Sequence, residues 1–294
     1  MGLNRDFIGR EFAPEVHVVD KYEVMAYASA IGAPYLNYLD DDSGANNITP
    51  PSFSVTYELP LIYKLLSDAD LHGSKEQVKK NMLMLVHGDQ QMNFYKPIMP
   101  GDKITCRAKI SDIEDKGSGE IVKINMLSTF GDGTKMVESN WGLFIRGAGS
   151  GQRPARQKAA SKKVAESRPV VFRKLIKMPQ DITFRYSKAS NDMNPIHIDD
   201  EVAKKAGLKG IIVHGLCTMA MTTQGIIEAY LNSDSSKLLS LGVRFSAPVY
   251  PGDELVVEGW ENGGEDSMDL IGFEVTRKSD GVKVIKDATV RIRV

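Results

Sequence analysis

The feature that most limits the folds open to this chain is a segment written twice. Tyr95-Lys96-Pro97-Ile98-Met99-Pro100-Gly101-Asp102 returns as Ser246-Ala247-Pro248-Val249-Tyr250-Pro251-Gly252-Asp253. Each Pro-Gly-Asp closes a turn, because proline presets φ and glycine tolerates a left-handed backbone. Each turn leads into alternation of period two, from Lys103 to Ala108 and from Glu254 to Gly259. That period predicts strands with one buried face. Further strands are expected from Ile121 to Thr129 and from Val137 to Arg146. The second half repeats them from Met268 to Thr276 and from Val284 to Val294. Lys116-Gly117-Ser118-Gly119 and Ser279-Asp280-Gly281 serve as hairpin turns.

Helices complete the plan. Asp20-Lys21-Tyr22-Glu23 is a capping box, and Val24, Ala28 and Ile31 then share one face. In the second half Ile182, Tyr186 and Ala189 have similar spacing. A longer helix follows with Leu216, Met219, Ala220, Thr223, Ile227 and Tyr230 on one stripe. Its first-half counterpart is Phe53 to Leu66, which Pro60 is expected to bend or break. Burying one face of such a sheet requires a helix laid across it, so the chain reads as an α+β protein of two similar halves. The basic, Gly- and Ser-rich stretch from Gly147 through Lys162, Lys163 and Arg168 has no apolar periodicity and reads as a solvated connector. The expected division is residues 1–146, a linker over 147–168, and residues 169–294.

A formal net charge of -1 gives no field that would select nucleic acid or a membrane surface. No apolar run is long enough to span a bilayer, and Met1 to Asp6 lacks a signal peptide's apolar core. Cys106 and Cys217 lie in different halves in apolar contexts, which predicts reduced core residues and a reducing compartment. The ending Arg291-Ile292-Arg293-Val294 is not a peroxisomal tripeptide, so a cytoplasmic location is expected.

Chemistry concentrates in Asn191-Asp192-Met193-Asn194-Pro195-Ile196-His197. An imidazole titrates near neutrality, and a sheltered carboxylate beside it can share a proton. Taken singly, Asp192 reads as a turn cap and His197 as a core histidine. Together, at this spacing, they read as an acid/base pair. Val213-His214-Gly215-Leu216 then opens the long helix, whose N-terminus carries partial positive charge. The first half has Ala30-Ile31-Gly32-Ala33 and Pro51-Ser52 at the corresponding places, so one active site per chain is expected. No metal-ligand cluster, nucleotide-binding glycine loop or flavin motif stands out.

The run from Tyr186 through Asp192, Asn194, Pro195 and His197 to Ala203 is similar to the signature of hydratase 2, the (R)-specific 2-enoyl-CoA hydratases. Leu85-Val86-His87-Gly88-Asp89-Gln90, Asp115 to Gly119, Val213 to Cys217 and Arg244-Phe245 extend the resemblance over nearly the whole chain. It resembles the two-repeat type in the hydratase region of peroxisomal multifunctional proteins, which implies a double hot-dog fold and a homodimer. The implied reaction is reversible hydration of trans-2-enoyl-CoA to (3R)-3-hydroxyacyl-CoA of medium or long chain, in β-oxidation or related acyl-CoA metabolism. The implied roles are proton transfer for Asp192 and His197, water orientation for Asn194, and an oxyanion-binding N–H for Gly215. His87, Gly88, Lys116 and Phe245 would contact acyl-CoA, with Lys116 on a phosphate. The thioester is the substrate, and no prosthetic group is implied.

Two positions depart from the family pattern. Asn191 stands where glycine is usual, and Ala189 where a larger aliphatic residue is usual. Asparagine tolerates a left-handed backbone, so the turn is expected to persist, with acyl selectivity open to change. Met82, Met84, Met92 and Met99 could line an adaptable acyl tunnel or fill the core. A hot-dog thioesterase, a dehydratase for branched or dicarboxylic acyl-CoA, and a non-catalytic acyl-CoA-binding module are the competing readings.

Overall fold

Strict alternation builds the walls of this molecule. In the strand that follows Pro100-Gly101-Asp102, the side chains of Ile104, Cys106, Ala108 and Ile110 are buried, while Lys103, Arg107 and Lys109 face outward. The computed structural model describes residues 2–34, 38, 48–151, 168–265 and 268–293. Along the chain the described elements are β1 (Glu15–Val18), α1 (Lys21–Ala30), α2 (Val55–Leu66), α3 (Ala69–His72), α4 (Lys75–Leu83), β2 (Leu85–Phe94), β3 (Lys103–Asp115), β4 (Gly119–Thr129) and β5 (Lys135–Arg146). After the linker come β6 (Val170–Lys177), α5 (Ile182–Ser190), α6 (Asp200–Lys205), α7 (Gly215–Tyr230), β7 (Leu238–Phe245), β8 (Glu254–Glu265), β9 (Met268–Arg277) and β10 (Lys283–Arg293).

The strands form one sheet in the order β1-β3-β4-β5-β2-β7-β10-β9-β8-β6. Read inward from its two ends, the order is the same in each half, with β1, β3, β4, β5 and β2 matching β6, β8, β9, β10 and β7. The halves meet where β2 pairs antiparallel with β7, from Asp89 opposite Arg244 to Asn93 opposite Ser240. In the second half α7 is buried continuously from Leu216 to Ile227, a stretch with no charged residue. In the first half α2 buries Val55, Leu59, Leu61, Ile62, Leu65 and Leu66. Two five-stranded antiparallel arrays, each with its buried helix, make the α+β double hot-dog.

Pro60 does not break α2, contrary to expectation. The helix runs from Val55 to Leu66 with Pro60 on its exposed side. The missing N–H deprives only the Thr56 carbonyl, four residues back, of its helical partner. One turn of this helix also carries a buried carboxylate. Glu58 accepts hydrogen bonds from Ser139 Oγ and Trp141 Nε1, both at 2.8 Å, which fastens α2 to β5. Burial pushes its carboxyl up to about 7.

His87 and Gly88 lie within β2. Another expectation needs correction. The four first-half methionines do not cluster. Met92 is core, Met99 is exposed, and Met82 and Met84 sit at the end of α4. Cys106 and Cys217 are buried free thiols, as expected, and burial raises both above their ordinary range. Of the linker, residues 152–167 lie outside the described residues, Lys162 and Lys163 among them. Among the described residues no helix is long and apolar enough to cross a membrane.

Met92 and Leu241 face each other across the β2–β7 seam and are both almost fully buried. Leu241→Ala should therefore destabilise the protein by roughly 2–5 kcal/mol, read as a lower urea midpoint of a single transition. Two separated transitions would contradict a seam that couples the halves.

Candidate active site

The site begins with a helix stop. α5 ends at Ser190, and Asn191 takes a left-handed φ of 63°. Asparagine is one of the few side chains that bear this conformation at low cost. Ser190 Oγ donates to the Tyr186 carbonyl at 2.7 Å and accepts from the Asp192 N–H at 3.2 Å. The chain then reverses into a short 3-10 turn, Pro195–His197, with proline at its first position. Asn194 Oδ1 caps this turn by accepting from the Ile196 N–H at 3.3 Å. Among the described residues, no hydrogen bond occupies the Asn194 amide nitrogen, which leaves it to hold a water.

His197 Nδ1 lies 2.8 Å from the Ile212 carbonyl oxygen. A carbonyl can only accept, so Nδ1 carries the proton and Nε2 is left as an acceptor. Burial lowers the pKa of His197, opposed by the charge of Asp192. The imidazole is therefore neutral at neutral pH. Beside it stands a histidine that sequence reasoning did not assign to the site. The rings of His197 and His214 stack at 3.7 Å. His214 Nε2 sits 3.1 Å from both the Asp192 carbonyl oxygen and Ser187 Oγ. Burial, and then His197, hold His214 well below the ordinary histidine value, so the stacked pair stays uncharged.

Asp192 is 8% exposed. Its Oδ1 accepts from Tyr63 Oη at 2.8 Å and, more weakly, from the Asn194 N–H at 3.3 Å. One carboxylate oxygen of Asp192 and one ring nitrogen each of His197 and His214 lie within 4.8 Å of one another. The set is close enough to touch one ion, but His197 Nδ1 and His214 Nε2 are already committed to carbonyls. The geometry suits proton transfer better than metal ligation.

These groups open into a cavity of about 370 Å³, a size suited to a small-molecule site. Asp192, Asn194, His197, Gly215 and Phe245 line it from the second half, and Tyr63, His87 and Trp141 from the first. Gly215 is the first residue of α7, so its N–H has no acceptor within the helix. A Cβ there would make ordinary contact with the Phe245 ring at 3.4 Å. Packing alone therefore does not demand glycine; the missing side chain keeps the N–H approachable from the cavity. His87 stacks on Trp141 at 4.9 Å, packs on Phe245 at 5.0 Å, and donates Nε2–H to the Asp89 carbonyl at 3.0 Å. Burial lowers it to about 4.

Two expected contacts lie apart from the cavity lining. Gly88 sits within β2, where a Cβ would press on the Gly142 carbonyl at 3.1 Å. Lys116 is exposed on the β3–β4 hairpin and ion-paired with Glu114. Conversely, Tyr63, Ser187 and His214 belong to the site and were not singled out beforehand. The Val213-His214-Gly215 motif offered a signal for His214. Nothing local pointed to Tyr63, whose partner is 129 residues away.

Residues 161–283 match the family described as MaoC like domain, and residues 6–138 match the FAS1-like dehydratase domain region. The chain is 32% identical over 213 residues to peroxisomal multifunctional enzyme type 2 of Mus musculus, covering 71% of this chain and 28% of that protein. To an Arabidopsis thaliana protein named enoyl-CoA hydratase 2, peroxisomal, it is 27% identical over 283 residues, covering 89% of this chain and 88% of the relative. A solved MaoC-like dehydratase from Phytophthora capsici shares the fold with a TM-score of 0.77 at 24% identity, over 98% of both chains. The chain thus carries a FAS1-like dehydratase region in its first half and a MaoC-like domain in its second.

Proposed function

We propose that this protein is a hydro-lyase that reversibly hydrates trans-2-enoyl-CoA to (3R)-3-hydroxyacyl-CoA. The observation that carries the reading is one buried constellation: Asp192, a neutral His197 with Nε2 open, and the first N–H of α7 at Gly215, all on a single cavity. The names of the relatives, enoyl-CoA hydratase 2 and multifunctional enzyme type 2, support the same reaction.

Hydration of an enoyl thioester joins water oxygen to Cβ and a proton to Cα, while negative charge builds on the thioester oxygen. His197 Nε2 is placed to take the proton from water, with the Asp192 carboxylate and the Asn194 amide orienting it. The His197 imidazolium so formed then gives a proton to Cα, so none is gained or lost overall. The Gly215 N–H and the positive end of α7 receive the thioester oxygen, a donor whose loss typically costs roughly 3 kcal/mol of barrier. His87, Trp141 and Phe245 form an apolar aromatic wall that keeps the site dry. The first half thus holds substrate and the second performs chemistry on medium or long acyl chains. The coenzyme A thioester is the substrate, and the steps call on no prosthetic group. A homodimer in a reducing, cytoplasmic compartment belongs to the same reading.

Asp192→Asn and His197→Gln should each lower kcat on trans-2-decenoyl-CoA by roughly 10²–10⁴-fold, followed as loss of the enoyl absorbance. Variants that turn over at the unmodified rate would refute the assignment.

The buried histidines also set an acid limit. His72, His87, His197 and His214 all have lowered pKa values, His87 from 6.5 to about 4. The unfolded chain takes up these protons more readily, so their stability contribution is full above about pH 6.5 and is lost as pH falls toward the folded values. Glu58 acts oppositely: raised from 4.5 to about 7, it favours the fold at low pH and loses that advantage as pH rises between those values. Asp89, which burial also raises, acts with Glu58, and the four imidazoles against these two carboxyls decide the sign. The urea midpoint should drop between about pH 7.5 and 5.5, and His87→Gln should make that slope shallower. A midpoint that rises on acidification would contradict this.

A further inference from the structure

The structure assigns to Tyr63, on α2 of the first half, the positioning of the Asp192 carboxylate; we infer that the non-reacting half fixes which carboxylate oxygen meets the substrate. The inference rests on the hydratase reading and deepens it. Tyr63 Oη donates to Asp192 Oδ1 at 2.8 Å across the two halves. Among the described residues no hydrogen bond reaches Asp192 Oδ2, so that oxygen is the one left to the cavity. Burial, and then the carboxylate itself, push the Tyr63 phenol above its ordinary range. It stays a neutral donor at any working pH. The titratable groups facing this carboxylate are Tyr63, His87, Tyr186, His197 and His214.

A second contact fixes the same helix against the same loop. Pro60 has no N–H for the Thr56 carbonyl, and Asn191 Nδ2 donates to that oxygen at 3.1 Å. Thr56 and Tyr63 are two turns apart on α2, and Asn191 and Asp192 are neighbours in the turn. The proline in a core helix and the asparagine in a glycine place are thereby one feature. The proline frees a carbonyl, and an asparagine that tolerates φ of 63° supplies the donor. Tyr63 is also a partition. It and Asn194 border both the catalytic cavity and a second one of about 440 Å³, walled by Met82, Leu83, Met193, Pro195 and Val202.

Tyr63→Phe keeps the partition and removes only the hydroxyl. With trans-2-decenoyl-CoA its kcat should fall roughly ten- to a hundredfold, the range for losing one hydrogen bond to a charged group, while KM changes little. Asn191→Gly, which keeps the backbone conformation, should give a smaller loss in kcat. Adding Pro60→Ala to it should restore activity, since residue 60 then supplies the Thr56 carbonyl with its helical N–H. A Tyr63→Phe enzyme with unmodified kcat overturns the assignment, as does an Asn191→Gly loss that Pro60→Ala leaves unchanged. Failure of the unmodified enzyme to hydrate the thioester would instead overturn the hydratase reading, so the two failures are distinct.

Discussion

The pairing of β2 with β7 is the contact on which the rest of this molecule depends. It turns two five-stranded arrays into one sheet and fixes the first half's helix against the second half's loop. The cavity exists only because of that seam. Its wall takes His87 from β2 and Phe245 from β7, and their rings meet at 5.0 Å across it. A duplicated scaffold thereby becomes asymmetric. One half spends its polar residues on acid/base groups, while the other spends them on holding those groups in place.

Electrostatics within the cavity follow from how each polar atom is satisfied. Ile212 and Asp192 offer backbone carbonyls to His197 Nδ1 and His214 Nε2, which sets both tautomers and leaves His197 Nε2 unprotonated. Tyr63 commits one oxygen of Asp192 and leaves the other free. Desolvation is the largest cause that keeps the imidazoles neutral, and for His214 the neighbouring His197 adds to it. A site of this kind depends on exclusion of water, and the stacked Trp141–His87–Phe245 wall provides it without any charge.

Much of this was legible in the sequence because its causes are local. The doubled Pro-Gly-Asp turn and period-two alternation marked the strands that follow it in both halves, while the double hot-dog was implied by the resemblance that the Tyr186-to-Ala203 run carries. Asp192, Asn194 and His197 were legible because one short turn carries all three. What escaped notice depends on contacts between residues far apart in the chain. Tyr63 meets Asp192 only after the halves join. Pro60 looked like a helix breaker because its compensating donor, Asn191, is 135 residues away. Asn191 stood out as a departure that left acyl selectivity open to change, and its link to Thr56 was invisible along the chain. Lys116 was legible as an exposed residue on a glycine turn, but its ion pair with Glu114 was not.

The central claim is that one cavity adds water to an enoyl thioester from a fixed face. The most direct test is chiral analysis of the product formed from trans-2-decenoyl-CoA in deuterium oxide. The account predicts a single (3R)-3-hydroxyacyl-CoA bearing one solvent deuterium at C2. A (3S) or racemic product, or release of free coenzyme A thiol in place of a hydroxyacyl thioester, would contradict it.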